Sequence, residues 1–285
     1  MDIGVLIFPT DEAIRPSVLA QEAEARGFES LWFPEHSHIP TSRATPWGGR
    51  DGAPPLPPEY WRTHDQFVAL ATCASVTERI RLCTGITLVA QRDPIWLAKE
   101  VATLDALSDG RVELGIGYGW NKEEMAQHGT AYGERRALLR EKILMMKALW
   151  TEEEASYEGE RLSLESSWAW PKPTQSPHPP IILGGGAGPK TIADVVEFCD
   201  GWMPIAGRHP VDGRWAEIRQ AAEGAGRDPS TLSLGVFGAS PKPEHLESLR
   251  EQGVTRAVLG LPPAGADEVL PLLDRYADLV GAFTG

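Results

Sequence analysis

Apolar and polar positions follow two rhythms along the chain, and the rhythms take turns. Asp2–Phe8 is an apolar run of strand length. Ser17–Arg26 follows at helical spacing, with Leu19, Ala20, Ala23 and Ala25 as its apolar positions and Gly27 as its stop. Ser30–Phe33 is again strand-like, Thr63–Ser75 is helical through Phe67, Leu70, Ala71 and Ala74, and Ile80–Leu88 is a β-branched strand. Pro94–Leu107 predicts a helix with proline at its opening and Asp109-Gly110 beyond its end, followed by a strand over Arg111–Ile116. Within Glu134–Trp150, Leu139, Ile143, Met146 and Trp150 recur at spacings of 4, 3 and 4, the signature of an amphipathic helix. The strand–helix order then resumes as Ile181–Leu183 and Pro189–Phe198, Gly201–Ile205 and Val211–Ala225, Thr231–Phe237 and Pro243–Gln252, Arg256–Leu259 and Asp267–Val280.

Alternating units of this kind specify a parallel sheet with helices outside it. Eight of them predict a closed (β/α)8 TIM barrel over residues 1–285, with an open doubly wound sheet as the alternative. Two stretches break the rhythm. Residues 37–62, rich in proline and glycine, read as a long loop inserted after the second strand. Residues 117–180 read as an insertion after the fourth, with one long helix inside it. In such barrels the chemistry lies at the carboxyl ends of the strands. That directs attention to the residues after Phe33, Leu88, Ile116, Leu183, Ile205, Phe237 and Leu259.

Composition narrows the class. A chain of 285 residues can bury a large core without disulfide or metal support. Hydrophobic residues at 42% and charged residues at 24% exclude a disordered chain. Forty acidic residues against 27 basic ones leave a net charge of −13 and no basic stripe, which argues against nucleic acid as a partner. No apolar run approaches the roughly 18 residues of a membrane span. Met1-Asp2-Ile3-Gly4 lacks the basic start of a signal peptide. Three unclustered cysteines, Cys73, Cys83 and Cys199, fit reduced thiols and a cytoplasmic setting. A small molecule is the expected partner, and the sequence leaves a homodimer open.

Four places could carry chemistry. After the second strand, Glu35-His36 sits at the predicted rim. The pair either holds its loop by hydrogen bonds or offers an imidazole that can donate a proton, with Glu35 setting its charge. His36-x-His38 could also begin a metal site, but the later strand ends bring no ligand set to complete it, so no metal is expected. After the third strand, Gly85 inside a β-branched run predicts a bulge or a close approach of backbone to ligand, with ordinary packing as the alternative. After the fourth, Gly115-Ile116-Gly117-Tyr118-Gly119-Trp120-Asn121 lacks the Rossmann spacing but clears side chains from a strand end, as the face of a flat ring system requires. After the fifth, Gly184-Gly185-Gly186-Ala187-Gly188 opens the helix at Pro189. Four glycines exceed the needs of a tight turn, and converging N–H groups with the helix dipole suit a phosphate. Trp47, Tyr60 and Trp61 in the first insertion, with Trp120 and Trp202, would make an aromatic substrate pocket unless they serve loop packing.

Taken in order, Glu35-His36, Thr84–Ile86, Ala98-Lys99, Leu104-Asp105, Ser108-Asp109-Gly110-Arg111 and Gly115–Trp120 form one recognisable set. Leu149-Trp150, Pro171-Lys172-Pro173, Pro179-Pro180, Gly184–Gly188 and Asp200-Gly201-Trp202 continue it. The set resembles the luciferase-like monooxygenase superfamily, and within it the coenzyme F420-dependent oxidoreductases, over residues 1–205. The resemblance implies a flavin-like ring at the carboxyl face of the barrel, its tail phosphate on the backbone of Gly184, Gly185, Gly186, Ala187 and Gly188. It also implies a non-proline cis peptide at Gly85–Ile86 behind the ring, Gly117 beneath it, Asn121 at its edge, and His36 with Glu35 beside the reactive face. Many members carry Asp where this chain has Glu35. The implied activity is hydride transfer between reduced coenzyme F420, a deazaflavin, and a C=C or C=O group of a small organic substrate, with His36 as proton donor. The alternatives are an FMN-dependent monooxygenase on the same fold and a cofactor-binding protein without turnover.

Overall fold

A computed structural model describes residues 1–211 and 213–283. The strands are β1 (Asp2–Leu6), β2 (Ser30–Phe33), β3 (Arg81–Thr84), β4 (Val112–Ile116), β5 (Ala155–Glu158), β6 (Ser163–Ser167), β7 (Ile181–Gly184), β8 (Gly201–Met203), β9 (Ser233–Ala239) and β10 (Arg256–Gly260). The helices are α1 (Pro16–Ala25), α2 (Glu59–Arg62), α3 (Gln66–Ala74), α4 (Pro94–Leu107), α5 (Lys122–Gln127), α6 (Arg135–Thr151), α7 (Pro189–Phe198), α8 (Arg214–Gly224), α9 (Pro243–Glu251) and α10 (Ala266–Phe283). Eight strands form one closed parallel barrel, while β5 and β6 make a separate antiparallel hairpin. Val5 of β1 faces Leu31 of β2 on one side and Leu259 of β10 on the other, which closes the ring. The fold is the expected (β/α)8 barrel. Among the described residues, no helix is long and apolar enough to cross a membrane.

Local chemistry sets the element boundaries. Pro16, Pro94, Pro189 and Pro243 each open a helix, where the missing N–H costs nothing. The Asp93 carboxylate accepts the N–H groups of Ile95 and Trp96 at 3.0 and 2.9 Å, a cap typically worth about 1 kcal/mol. Both α4 and α7 run between the limits their sequence pattern sets. By contrast, β3 stops at Thr84 instead of reaching Leu88, and the Gly85–Ile86 peptide that follows is cis. The pattern also gives no sign of the β5–β6 hairpin. That hairpin turns Ala155, Tyr157 and Leu164 toward the core and is pinned to α6 by Glu141, which accepts the N–H groups of Arg161 and Leu162 at 2.9 and 3.0 Å.

Alternation along each strand divides the core into two layers. Trp32, Cys83, Ile182, Met203, Phe237 and Val258 fill the barrel interior. The neighbouring positions Leu31, Phe33, Leu82, Leu183 and Trp202 belong to a larger cluster shared with the helices. At the amino end, Arg256 joins β10 to β4 and to the residue before β2. It donates to both oxygens of Glu29 at 2.8 and 2.6 Å and to Glu113 at 2.5 Å. Burial opposes its charge, but Glu113 and Glu29 outweigh that and hold its pKa above the ordinary arginine value.

Candidate active site

A cavity of about 460 Å³ opens at the carboxyl end of the barrel, within the size range of small-molecule sites. Of the residues singled out in the sequence, Glu35, His36, Trp47, Gly85, Ile86, Gly117, Trp120, Gly184 and Gly185 line it. Asn121, Gly186, Ala187, Gly188, Trp61 and Trp202 do not. Trp61 lies half-exposed on α2. Trp202 is buried in the helix–sheet layer because the next residue, Met203, is the one that points inward.

The floor is poor in side chains. A Cβ on Gly117 would lie 2.6 Å from Ile86 Cδ1, and one on Gly184 3.1 Å from Ile86 Cγ2. The glycines therefore make room for Ile86, and the result is a low apolar floor. Gly185 holds a φ of +99° that only glycine adopts easily, and its carbonyl accepts the Trp202 indole N–H at 2.7 Å. Gly186 packs against the His209 ring. Gly188 caps α7 without any side-chain hydrogen bond, and a Cβ there would meet nothing within 4 Å. The glycine run thus divides in two. Gly184 and Gly185 face the cavity, while Gly188 presents an uncapped helix start beside it.

The carboxylate held against His36 is not that of Glu35. His36 Nδ1 lies 2.8 Å from Glu124 Oε2, and both side chains are buried. Glu35, on the opposite side of the chain as it leaves β2, accepts the Leu88 N–H at 2.6 Å and Arg92 Nε at 2.6 Å. Arg92 also pairs with Asp65 and Glu100, at 2.8 and 2.9 Å. These contacts tie the exit of β2 to the starts of α3 and α4. Asn121 is the N-cap of α5; its side-chain oxygen accepts the Glu124 N–H at 3.4 Å, so it places Glu124 in the first turn of the helix. His38 turns to the surface, bonded to Ser37 and Gln127.

Aromatic rings surround the imidazole. The Tyr60 ring centroid is 5.1 Å from His36, 4.7 Å from Phe8, 5.8 Å from Trp47 and 6.2 Å from Trp120. Glu123 holds the insertion that carries Trp47 and Tyr60, accepting the Ala44 and Thr45 N–H groups at 3.0 and 3.1 Å. Tyr118 donates its hydroxyl to Asp194 on α7; burial and that carboxylate push its pKa up, so it keeps its proton.

Sequence reasoning missed Glu124, Phe8, Arg208 and the placement of His209. Phe8 follows β1, the one barrel strand left off the strand-end search. Arg208 and His209 come from the loop after β8 and line the cavity, Arg208 against Gly48 of the first insertion and His209 against Gly186. Burial, then the neighbouring Arg208 charge, lowers the His209 pKa, which favours neutral imidazole. Asn121-Lys122-Glu123-Glu124 has the N-x-x-E spacing of a helix start, so α5 was legible although the direction of the Glu124 side chain was not.

Eight parallel strands, with a cavity built from their carboxyl-end loops, define a TIM barrel of the enzyme type. The chain belongs to the luciferase-like monooxygenase family, whose model matches residues 12–252. It is 40% identical to the uncharacterised protein Rv0953c of Mycobacterium tuberculosis (strain ATCC 25618 / H37Rv), over 97% of this chain and 98% of the relative. It is 31% identical to an F420-dependent hydroxymycolic acid dehydrogenase of the same organism, over 81% of this chain and 60% of the relative. Among solved structures, monooxygenase RslO1 from Streptomyces bottropensis has the same fold, with a TM-score of 0.79 at 20% identity over 100% of both chains.

Proposed function

We propose that the chain is a coenzyme F420-dependent oxidoreductase acting on a C=O or C=C group of a small organic substrate. The observation that carries this reading is the combination, in one cavity, of a side-chain-poor floor with an imidazole held by a buried carboxylate. The F420-dependent name of the 31% identical mycobacterial relative supports the choice of cofactor. The residues present fit such a group. Gly85–Ile86, Gly117 and Gly184 would take the ring face, while Gly185 and the uncapped start of α7 would take the anionic tail. Bound there, the deazaflavin supplies or accepts hydride.

The protein supplies the proton and the dry surroundings. With Glu124 ionised, His36 Nδ1 carries a hydrogen toward it, and Nε2 is left for the substrate. Negative charge that appears on a substrate oxygen during reduction can take the Nε2 proton of the imidazolium, which leaves the neutral ring with its Nδ1–H on Glu124; in oxidation the neutral Nε2 takes the hydroxyl proton and the imidazolium forms again. Phe8, Tyr60 and Trp120, which line this end of the cavity, would keep water from it with substrate bound. Calorimetric titration of the purified protein with oxidised F420 and with FMN tests the reading. F420 should bind at least tenfold more tightly. Binding of FMN alone would instead assign an FMN-dependent monooxygenase, and F420 binding without turnover of any carbonyl compound would assign a carrier.

A further inference from the structure

We infer that the substrate is an organic anion: a carbonyl compound, or its matching alcohol, that carries a carboxylate several bonds from the reacting carbon, with Arg208 as the partner of that carboxylate. This rests on the reading of the cavity as a hydride-transfer site in which His36 handles the proton. Arg208 comes from the loop after β8 and meets the first insertion, where Nη2 donates to the Gly48 carbonyl at 2.9 Å. A Cβ on Gly48 would lie 2.9 Å from the same nitrogen, so the insertion admits the guanidinium because glycine stands there. That one contact leaves most of the guanidinium's donors unused. Arg92, Arg136 and Arg256 each meet a carboxylate, whereas Arg208 meets none among the described residues.

The Arg208 charge acts inside the cavity. Burial and then Arg208 lower the His209 pKa; on Tyr60, burial raises the pKa and Arg208 opposes the rise. No carboxylate cancels that charge on the lining. Among the described residues that line the cavity Glu35 is the one acid, and Leu88 and Arg92 hold it. Glu59 acts on Tyr60 from α2 without lining the cavity, and Arg43 lies over Trp120, also outside the lining. In a chain of net charge −13, an unpaired cation that faces a cavity is the reverse of what the surface as a whole offers, and it favours a negative ligand there.

The uncharged polar groups agree in sign. Trp47 donates to the Tyr60 oxygen, which leaves the hydroxyl hydrogen of Tyr60 free. The Trp120 indole N–H has no acceptor among the described residues, and its ring centroid is 5.8 Å from His36. Two donors thus stand beside His36, where a substrate oxygen would gain hydrogen bonds. The charge belongs farther off. Ring contacts of 5.1 and 5.8 Å between centroids lead from His36 through Tyr60 to Trp47, and Gly48, which holds Arg208, comes next in the chain. An anion on Arg208 is therefore separated from the reacting carbon, unlike that of a 2-oxo acid. One unpaired cation beside a neutral His209 matches the single charge of a carboxylate better than the two of a phosphate.

Calorimetry with 7-oxooctanoate, its methyl ester and 6-oxoheptyl phosphate tests the inference, with oxidised F420 bound and again on the cofactor-free protein. The ester keeps the chain and the ketone and loses the charge; the phosphate adds a second charge. In one of the two states 7-oxooctanoate should bind at least tenfold more tightly than either, the usual worth of a hydrogen bond to a charged group. Its advantage over the ester should shrink at high salt. Arg208→Gln should bring acid and ester within about threefold of each other, with F420 affinity also within about threefold of the parent, and Arg208→Lys should restore part of the difference. Four results would each overturn the inference: equal or tighter binding of the ester or the phosphate in both states, no binding of the acid in either, an advantage of the acid that survives Arg208→Gln, or a tenfold loss of F420 affinity in that variant. Failure of the cofactor reading is seen separately, in the F420 and FMN titrations, which contain no keto acid.

Discussion

His36 and Glu124 meet at 2.8 Å across 88 positions of sequence, one from the exit of β2 and the other from the first turn of α5. A carboxylate with no exposed surface is costly unless it is paired, and here the partner is the imidazole that faces the cavity. The second Glu124 oxygen and the Asn121 amide nitrogen are buried without a partner among the described residues, the kind of site that ordered water fills. On the proposed reading Glu124 is a positioning residue: it would act through His36 by fixing which ring nitrogen is left for substrate.

That relationship gives the first prediction. His36→Ala should lower turnover about 10²- to 10⁴-fold, the usual worth of a general acid, with cofactor affinity within about threefold. Glu124→Ala alone should give a smaller loss. Added to His36→Ala it should cost less than about threefold more, because residues that act as a unit are not additive. Steady-state kinetics of the four proteins in the cycle decide it. Multiplicative losses would mean that Glu124 supports the fold and not the imidazole.

How much of this was legible follows from where each signal lives. The barrel was readable because each buried strand and amphipathic helix carries its own period, as α6 does through Leu139, Ile143, Met146 and Trp150. The place of the glycine run, between β7 and α7, was readable because it leads into a proline-started helix. Partnerships between side chains were not. Glu35 is adjacent to His36 in sequence, yet successive residues leave a strand on opposite sides, and its carboxylate goes to Arg92. Trp202 and Met203 pose the same problem: a shift of one residue exchanges the barrel interior for the helix layer. The insertion at 37–62 hid its role, since proline and glycine mark a loop without saying which of Trp47, Tyr60 and Trp61 turns inward.

Trp202 has a task that differs from lining the pocket. Its indole N–H fixes the Gly185 carbonyl at 2.7 Å, next to a backbone in the left-handed region. Trp202→Phe keeps most of the buried ring and removes the donor. Stability should fall by about 1–3 kcal/mol, through lost volume and an unpaired carbonyl. Cofactor affinity should fall roughly 3- to 10-fold as the loop loses its anchor. Thermal melts and a cofactor titration separate the two effects. Lower stability with unchanged affinity would confine Trp202 to the core.

The aromatic insertion should be sensitive to acid. Burial tends to raise the Glu123 pKa, but hydrogen bonds from the Thr45 side chain and from the Ala44 and Thr45 N–H groups outweigh it and bring the carboxyl to about 2. A depressed carboxyl stabilises the folded state fully above its ordinary value of 4.5. That contribution is lost as pH falls from 4.5 toward 2, where the folded form also protonates. The wild-type melting temperature should therefore drop more steeply over this window than that of Glu123→Gln, whose amide oxygen still accepts but cannot titrate. Parallel curves for the two proteins would show that this carboxylate does not hold the insertion.

The anion site proposed at the glycine run allows a test that leaves the backbone alone. Gly185→Asp is ambiguous, since a φ of +99° would strain any side chain there. Gly188 is different: its φ is −80°, and a Cβ would meet open space. Aspartate is a favoured N-cap, so Gly188→Asp should fold at least as well as the parent chain and leave melting unchanged or slightly raised. Its carboxylate would occupy the N–H groups of α7 and set a negative charge where the cofactor tail is proposed to lie. Affinity for F420 should fall tenfold or more, with a smaller deficit at high salt because screening weakens the repulsion. Gly188→Ser adds a cap of similar size without charge and should stay within about threefold of the parent. Loss of affinity in both variants would point to steric exclusion. Retention in both would place the tail elsewhere, with the Arg208–His209 loop the next segment to examine.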